Sequence, residues 1–411
     1  MKRLLACLAL WLPAAALASP WAFSEPLTVN DGTADRYFHH LDGAGRRHVA
    51  ASAAAVAVAW EDDRSGAPQV YAAAKPHAAN DFSRQWRLSN GAEAYEPAIV
   101  ALAEDRWLAA WEQDGAVVAR LIEAGIPGPL LPLAPAPSRQ VTLAVDPAGR
   151  VAAAWVREQA AGQLVEAAEL QITEEAARPV AVAPVAPFDG HAYQGYPALA
   201  WGPAGRLVVA WEDRRAGHTR LFHSWREGGG AFAAARQLNE HNAPRGPGGE
   251  DLNLGSGVMR VALAGGADGE LHAVWLDKRN PSSGYAVWGA ASADGGRTFG
   301  PNRIVQDELG AAVPQWHAAL AAGPAGFVAA WDDTREAWGD SAEPGDVLLS
   351  WHHGDGWSAD LLVPGASGEG YQGSPAVALD PGGALHLVFI ERADLSSPTR
   401  LRYLYGAAGA P

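Results

Sequence analysis

"VAWEDDRSG" at residues 58–66 and "VAWEDRRAG" at residues 209–217 are nearly the same nine residues, written twice 151 positions apart. A catalytic site needs its residues once, so a recurring phrase points to architecture before chemistry. With Trp60 and Trp211 as landmarks, looser copies follow: "LAAWEQDG" around Trp111, "AAAWVREQ" around Trp155, "HAVWLDKRN" around Trp275 and "VAAWDDTRE" around Trp331. A seventh copy, "HLVFIERAD", carries Phe389 in the tryptophan slot.

The landmarks are spaced by 51, 44, 56, 64, 56 and 58 residues. That period is too long for a leucine-rich or ankyrin unit and matches a four-stranded propeller blade with generous loops. Each unit reads as two strands joined by a Pro/Gly/Asp turn, as in "VTLAVDPAGRVAAAW" and "SPAVALDPGGALHLVF",. A variable loop leads to a third strand ("QVYAAA", "RLFHSW") and then a fourth ("AAARQL", "NRIVQD"). The second strand is apolar without alternation, which suits a strand covered on both faces. The alanine-rich first strand suits the crowded axis. The final unit stops after a third strand, "RLRYLYG", while "WAFSEPLTVN" at the other end reads as a fourth strand with no partners before it. The expected fold is all-β: a propeller of seven four-stranded blades, closed by an N-terminal outer strand in the last blade, with six blades as the alternative. Closure of this kind removes exposed strand edges.

The repeated phrase ends in Trp-x-Asp-x-Arg four times: Asp62 with Arg64, Asp213 with Arg215, Asp277 with Arg279, and Asp333 with Arg335. Repeated ligand sites are one reading. A repeated salt bridge bracing each loop against its neighbour is the favoured one.

"MKRLLACLALWLPAAALASP" has the basic start, apolar run and small-residue Ala16-Leu17-Ala18 motif of a secretory leader, with cleavage expected after Ala18,. Residues 19–411 are then one propeller domain, exported to the periplasm or the medium. Cys7, the single cysteine, leaves with the leader, which excludes thiolate catalysis, disulfides and Cys-ligated zinc from the mature chain,. Removing Lys2 and Arg3 as well leaves 29 basic against 46 acidic residues, a net of −17. Without a basic cluster, nucleic acid is a poor partner. No apolar run beyond the leader is long enough for insertion into a membrane.

"SADGGRTF" at residues 292–299 resembles the Asp-box pattern Ser-x-Asp-x-Gly-x-Thr-Trp, with Ser292, Asp294, Gly296 and Thr298 in place and Phe299 for the tryptophan. "REGGGAF" and "HHGDGW" look like eroded copies. The chain thus resembles the Asp-box (bacterial neuraminidase repeat, sialidase-like) propellers. There the box is a folding turn away from the active face, so the resemblance implies fold. The family's enzymes are similar to one another in an arginine triad for the substrate carboxylate, a Tyr–Glu nucleophile pair and an Asp acid/base. They have six blades and an N-terminal Arg-Ile-Pro signature, which this chain lacks.

In a repeat protein, equivalent slots that refuse to repeat are free for function. The position before each first strand reads Arg47, Glu96, Gln140, Tyr196, Arg260, His317 and Ser374, and these are expected around the mouth of the central channel. Arg47, Arg139 and Arg260 could converge to clamp a carboxylate or phosphate. Glu96 beside Tyr95, or Glu369 near Tyr371, could supply a nucleophile pair. The alternative is that the arginines pair with Glu96 and local carbonyls. Tyr196, Trp316, Tyr371 and Trp338 could stack on sugars, and Gln140 and His317 complete the candidate binding set. His39, His40 and Asp42, or Asp340, Glu343 and Asp346, offer metal-ligand types at spacings that fit no known loop, so no metal and no cofactor are expected. The glycine-rich 247–258 stretch lacks the strand-to-helix context of a dinucleotide site. The expected function is glycan or envelope-protein binding by a monomer, through the loop-rich upper face and channel mouth. The alternatives are a sialidase-like exo-glycoside hydrolase acting on an acidic sugar, and a structural assembly platform.

Overall fold

The computed structural model describes residues 19–42, 45–82, 84–187, 192–215, 217–240, 257–279, 284–307, 315–324, 326–335, 345–354, 356–394 and 396–409. The expected leader 1–18, Trp338, Asp340, Glu343 and most of the 247–258 stretch lie outside them.

Every landmark sits on a second strand between antiparallel partners. In the Trp211 unit, Ala192–Gly202 pairs with Arg206–Asp213, then Arg220–Glu227, then Arg236–Gln237. The other units repeat that order, and the sheets stay separate except at one place. The Trp155 and Trp211 units are joined by a parallel contact of two residue pairs, Gly162 with Ala192 and Gln163 with Tyr193. In the Phe389 unit, Tyr371–Leu379, Leu385–Arg392 and Arg400–Ala408 are followed by Trp21–Phe23 and Leu27–Asp31 from the opposite end of the chain. The N-terminal segment therefore caps the outer edge of the last sheet, as its sequence predicts.

Among the described residues, seven hydrophobic clusters form, each spanning two neighbouring units. One joins the last unit to the first, packing Ala376, Val388 and Tyr403 against Val49, Val58 and Trp60. Trp60, Trp111, Trp211, Trp275 and Trp331 are each 0% exposed, and truncating such a residue costs about 3–5 kcal/mol,. The first strands touch one another in succession around a central axis, and the last meets the first.

The Trp-x-Asp-x-Arg motif is a buried relay within one unit. The Trp211 indole N–H donates to Asp213 at 3.0 Å, and Arg215 pairs with the same carboxylate at 2.6 Å. Trp60, Trp275 and Trp331 make the same bond to Asp62, Asp277 and Asp333. The arginine then covers an aromatic ring of its own third strand: Arg64 on Tyr71 (4.1 Å), Arg215 on Phe222 (4.8 Å), Arg279 on Trp288 (3.5 Å). The salt-bridge reading thus holds, with a correction: the brace acts chiefly on its own sheet. Arg64 also lies over the Tyr37 ring at 4.9 Å, and Arg335 reaches Asp307 of the preceding unit at 3.8 Å.

The Ser292–Thr298 turn lies between the strands Ala286–Ser292 and Arg303–Ile304. Asp294 accepts from the Ser292 hydroxyl, the Thr298 amide and the Thr298 hydroxyl. Burial would raise its pKa, but these donors hold it down to about 2. Arg206 of the preceding unit donates to the carbonyls of Asp294 and Gly295. This turn ties two units together.

Candidate functional site

Six of the seven mouth positions share one backbone peculiarity. Glu96, Gln140, Tyr196, Arg260, His317 and Ser374 have φ between 48° and 57°, and at each the pairing register with the second strand slips. A bulge with a left-handed non-glycine residue costs about 1–3 kcal/mol and re-aims a side chain. The residue just after the tryptophan landmark offsets part of that cost. Glu61 accepts the Glu96 amide at 3.0 Å, Glu112 the Gln140 amide at 2.5 Å, and Glu212 the Arg260 amide at 2.9 Å. Where Val156 fills that slot, the Tyr196 amide turns to the Gln140 side chain at 2.7 Å.

The first unit breaks the pattern. Its first strand is split into His39–His40 and Val49–Ala51, and Gly45 to His48 lie against first-strand residues of other units, among them Leu263, Leu320 and Val377. The Gly45 carbonyl accepts from Thr142 Oγ1 at 2.5 Å, and a Cβ on Gly45 would lie 2.6 Å from the Pro197 carbonyl oxygen. Arg46 pairs with Asp42 and Glu96. Arg47 reaches across to the Leu263 carbonyl at 3.3 Å. The segment is a plug that closes the channel part-way down.

Above the plug lies an open pocket of about 360 Å³ lined by His40, Glu61, Tyr95, Glu96, Glu112, Arg139, Gln140, Tyr193 and Tyr196. Glu112 is pushed up to about 8, first by burial and then by the neighbouring Glu96, to which it is hydrogen-bonded. Glu112 therefore keeps its proton near neutral pH,. His40 is raised by its bond to Glu61. Asp42, at the plug, would be raised by burial, yet Arg46 and Arg260 hold it low. Beside the pocket, Arg260 lies 3.4 Å from the Tyr196 ring centroid, with Asp42 at 3.6 Å and Glu212 at 3.5 Å.

A second polar cluster occupies the rim of the Trp331 and Phe389 units. His317 contacts Asp332 at 2.8 Å, and the Tyr371 hydroxyl donates to the same carboxylate at 3.0 Å. Burial first, then Asp332, pushes the Tyr371 phenol far above its ordinary value. Arg392 covers the Tyr371 ring at 4.5 Å.

The three arginines expected to converge do not. Arg47 lies beneath the plug, Arg139 pairs with Glu158 at 2.6 Å, and Arg260 is held by Tyr196, Asp42 and Glu212. Neither expected Tyr–Glu pair forms as drawn: Tyr95 donates to Glu93 at 2.6 Å and Tyr371 to Asp332. Trp316 packs on Tyr285, with ring centroids 5.3 Å apart. His39 bonds Thr399, His40 faces Glu61 and Asp42 faces Arg46, so these three do not assemble. The structure does unite Glu96, Gln140 and Tyr196 in one pocket, with Arg260 against its Tyr196 wall. Glu61, Glu112, Glu212 and Asp332 were missed as site residues, although all four share the slot after the tryptophan. Among the described residues, His77, Asp380 and His386 offer metal-ligand atoms within 4.8 Å of one another. They lie at the seam between first and last units, away from the mouth.

No protein-family model matches the chain, and no curated protein matches its sequence. Solved structures do. A polysaccharide lyase, an ulvan lyase solved bound to GlcA(1-4)Rha3S, is similar at TM-score 0.57 with 9% identity, covering 89% of this chain and 94% of that one. A protein of unknown function from Dyadobacter fermentans is similar at TM-score 0.54 and 11% identity, covering 94% and 99%. The NanB sialidase of Streptococcus pneumoniae follows at 0.46 and 10%, covering 95% and 71%, a likeness too loose to carry an argument. The chain shares an all-β, propeller-like architecture with such proteins.

Proposed function

We propose that the chain is an exported, monomeric seven-bladed propeller of the Asp-box kind that binds carbohydrate at its upper mouth, and that the sugar is neutral or carries an amine. The observation that carries this reading is the charge pattern of the mouth pocket. Three tyrosines, Tyr95, Tyr193 and Tyr196, line it beside Glu61, Glu96 and Glu112. Tyrosine faces suit sugar rings, and carboxylates accept from hydroxyl and ammonium donors. Arg46, Arg139 and Arg260 already have carboxylate partners, so an acidic sugar would meet like charge,. Seven inter-unit clusters support seven blades. The ulvan lyase offers a precedent for carbohydrate on this architecture.

One observation favours a catalytic variant of the reading. Glu112, raised to about 8 by burial and by the neighbouring Glu96, is protonated at neutral pH, which is how a general acid is kept ready,.

A thermal-shift screen of neutral oligosaccharides, amino sugars and uronic or sialic acids tests the proposal. Binding at one hundred times the dissociation constant stabilises by about 2.7 kcal/mol. Neutral or amino sugars should raise the melting temperature, and Tyr193→Ala should abolish the effect. A preference for acidic sugars, or no response to any sugar, overturns it.

A further inference from the structure

Below the plug the channel widens again into a cavity of about 740 Å³ that opens on the face opposite the mouth. Its walls are the small side chains of Ala51, Ala144, Ala200, Ala264 and Ala322, and its rim is made of the turns between first and second strands. One charged side chain sits at its closed end, Arg47. Its hydrogen bond is the 3.3 Å contact to the Leu263 carbonyl, and among the described residues no carboxylate pairs with it. Burial, with no opposing acid, depresses its pKa. Each of the rim acids has a local partner: Asp146 pairs with Arg150 at 2.5 Å, Asp268 accepts the Glu270 amide at 3.2 Å, and Asp380 accepts the amides of Gly382 and Ala384.

We infer that this lower cavity is a second ligand site, in which Arg47 anchors the carboxylate of a small organic acid whose apolar body lies along the alanine walls. Three features support that class. The guanidinium fork matches a carboxylate bidentately. The walls offer apolar contact and little else for a ligand to hydrogen-bond. Arg47 is half-buried and faces the cavity with no carboxylate beside it among the described residues, which leaves its fork open to an anionic ligand,. The site is independent of the sugar pocket, since the plug separates them.

Calorimetric titration of the mature chain with hexanoate, with hexanol and inorganic phosphate as comparison probes, tests the inference. Hexanoate should bind, hexanol should not, and phosphate should bind more weakly because it cannot use the apolar wall. Arg47→Gln should weaken hexanoate at least tenfold, and Arg47→Met should melt no lower than the wild type without ligand. If an Arg47 variant fails to fold, Ala322→Leu narrows the cavity from its wall and should block hexanoate on its own. No hexanoate binding, equal binding of hexanol, or full affinity in Arg47→Gln each overturns the assignment. The sugar response of the mouth is unaffected in either case, so the two readings fail separately.

Discussion

Replacing Glu112 by glutamine isolates the proton that Glu112 holds at the mouth. In the folded chain Glu112 holds its proton up to about pH 8, whereas an exposed glutamic acid loses it near about 4.3,. A carboxyl raised on folding contributes stability that is whole below the unfolded value and is lost as the pH climbs through the folded one. The window is therefore about pH 4.3 to 8. At 1.36 kcal/mol per unit the ceiling is about 5 kcal/mol, and solvent screening in the open pocket brings the expected loss to about 2–4 kcal/mol. Glutamine copies the protonated acid at every pH. Its oxygen can still accept the Gln140 amide, and its NH₂ can still donate to Glu96,. Melting curves from pH 4 to 9 should coincide at the acid end, diverge steadily from about pH 4.3 and run parallel above about pH 8, with Glu112→Gln more stable by about 2–5 °C at pH 9,. Parallel curves across the whole range would refute a raised carboxyl at Glu112.

Two further substitutions test the scaffold. Asp213→Ala leaves a buried indole N–H and an arginine without their acceptor and should cost about 3 kcal/mol, whereas Arg215→Ala, from a partly exposed side chain, should cost about 1 kcal/mol,. Denaturant melts would reject the relay if the order were reversed. Gly45→Ala drives a Cβ against the Pro197 carbonyl and the Ala198 Cα, at 2.6 and 2.7 Å. It should lower stability by about 1–3 kcal/mol, and an unchanged melting temperature would mean that the plug is not packed as described.

What could be read from the chain follows from what repeats. Trp60 and Trp211 recur because every interface needs the same large buried wedge, and the period of that need reveals the units. Asp213 and Arg215 recur for the same reason, since the indole must find an acceptor wherever it is buried. The mouth was partly legible by the reverse logic: Glu96, Gln140, Tyr196 and Arg260 differ from unit to unit because the bulge fixes their direction and leaves their chemistry free. Glu61 and Glu112 escaped that logic because they do two jobs. Each caps a bulge amide of the next unit, which makes it recur as scaffold, and each still turns a carboxylate edge to the pocket.

Arg47 was named as a mouth residue and lies elsewhere for a different reason. Alignment by unit assumes that every first strand enters the axis alike, and the first one does not. Asp42 and Arg46 bind each other and Glu96, Gly45 presses on Thr142 and Pro197, and the detour they hold pushes the next residue through to the far side of the plug. One irregular unit thereby converts a single channel into two chambers of opposite character. The upper one is rich in carboxylates and tyrosines, and the lower one has alanine walls, a rim of turns carrying Asp146, Asp268 and Asp380, and at its end Arg47, which no carboxylate pairs among the described residues. A regular repeat would leave an open tunnel with seven similar mouths. On the two proposed readings, the departure from symmetry would make each chamber selective, since a plug between them lets each end present its own charge to its own ligand.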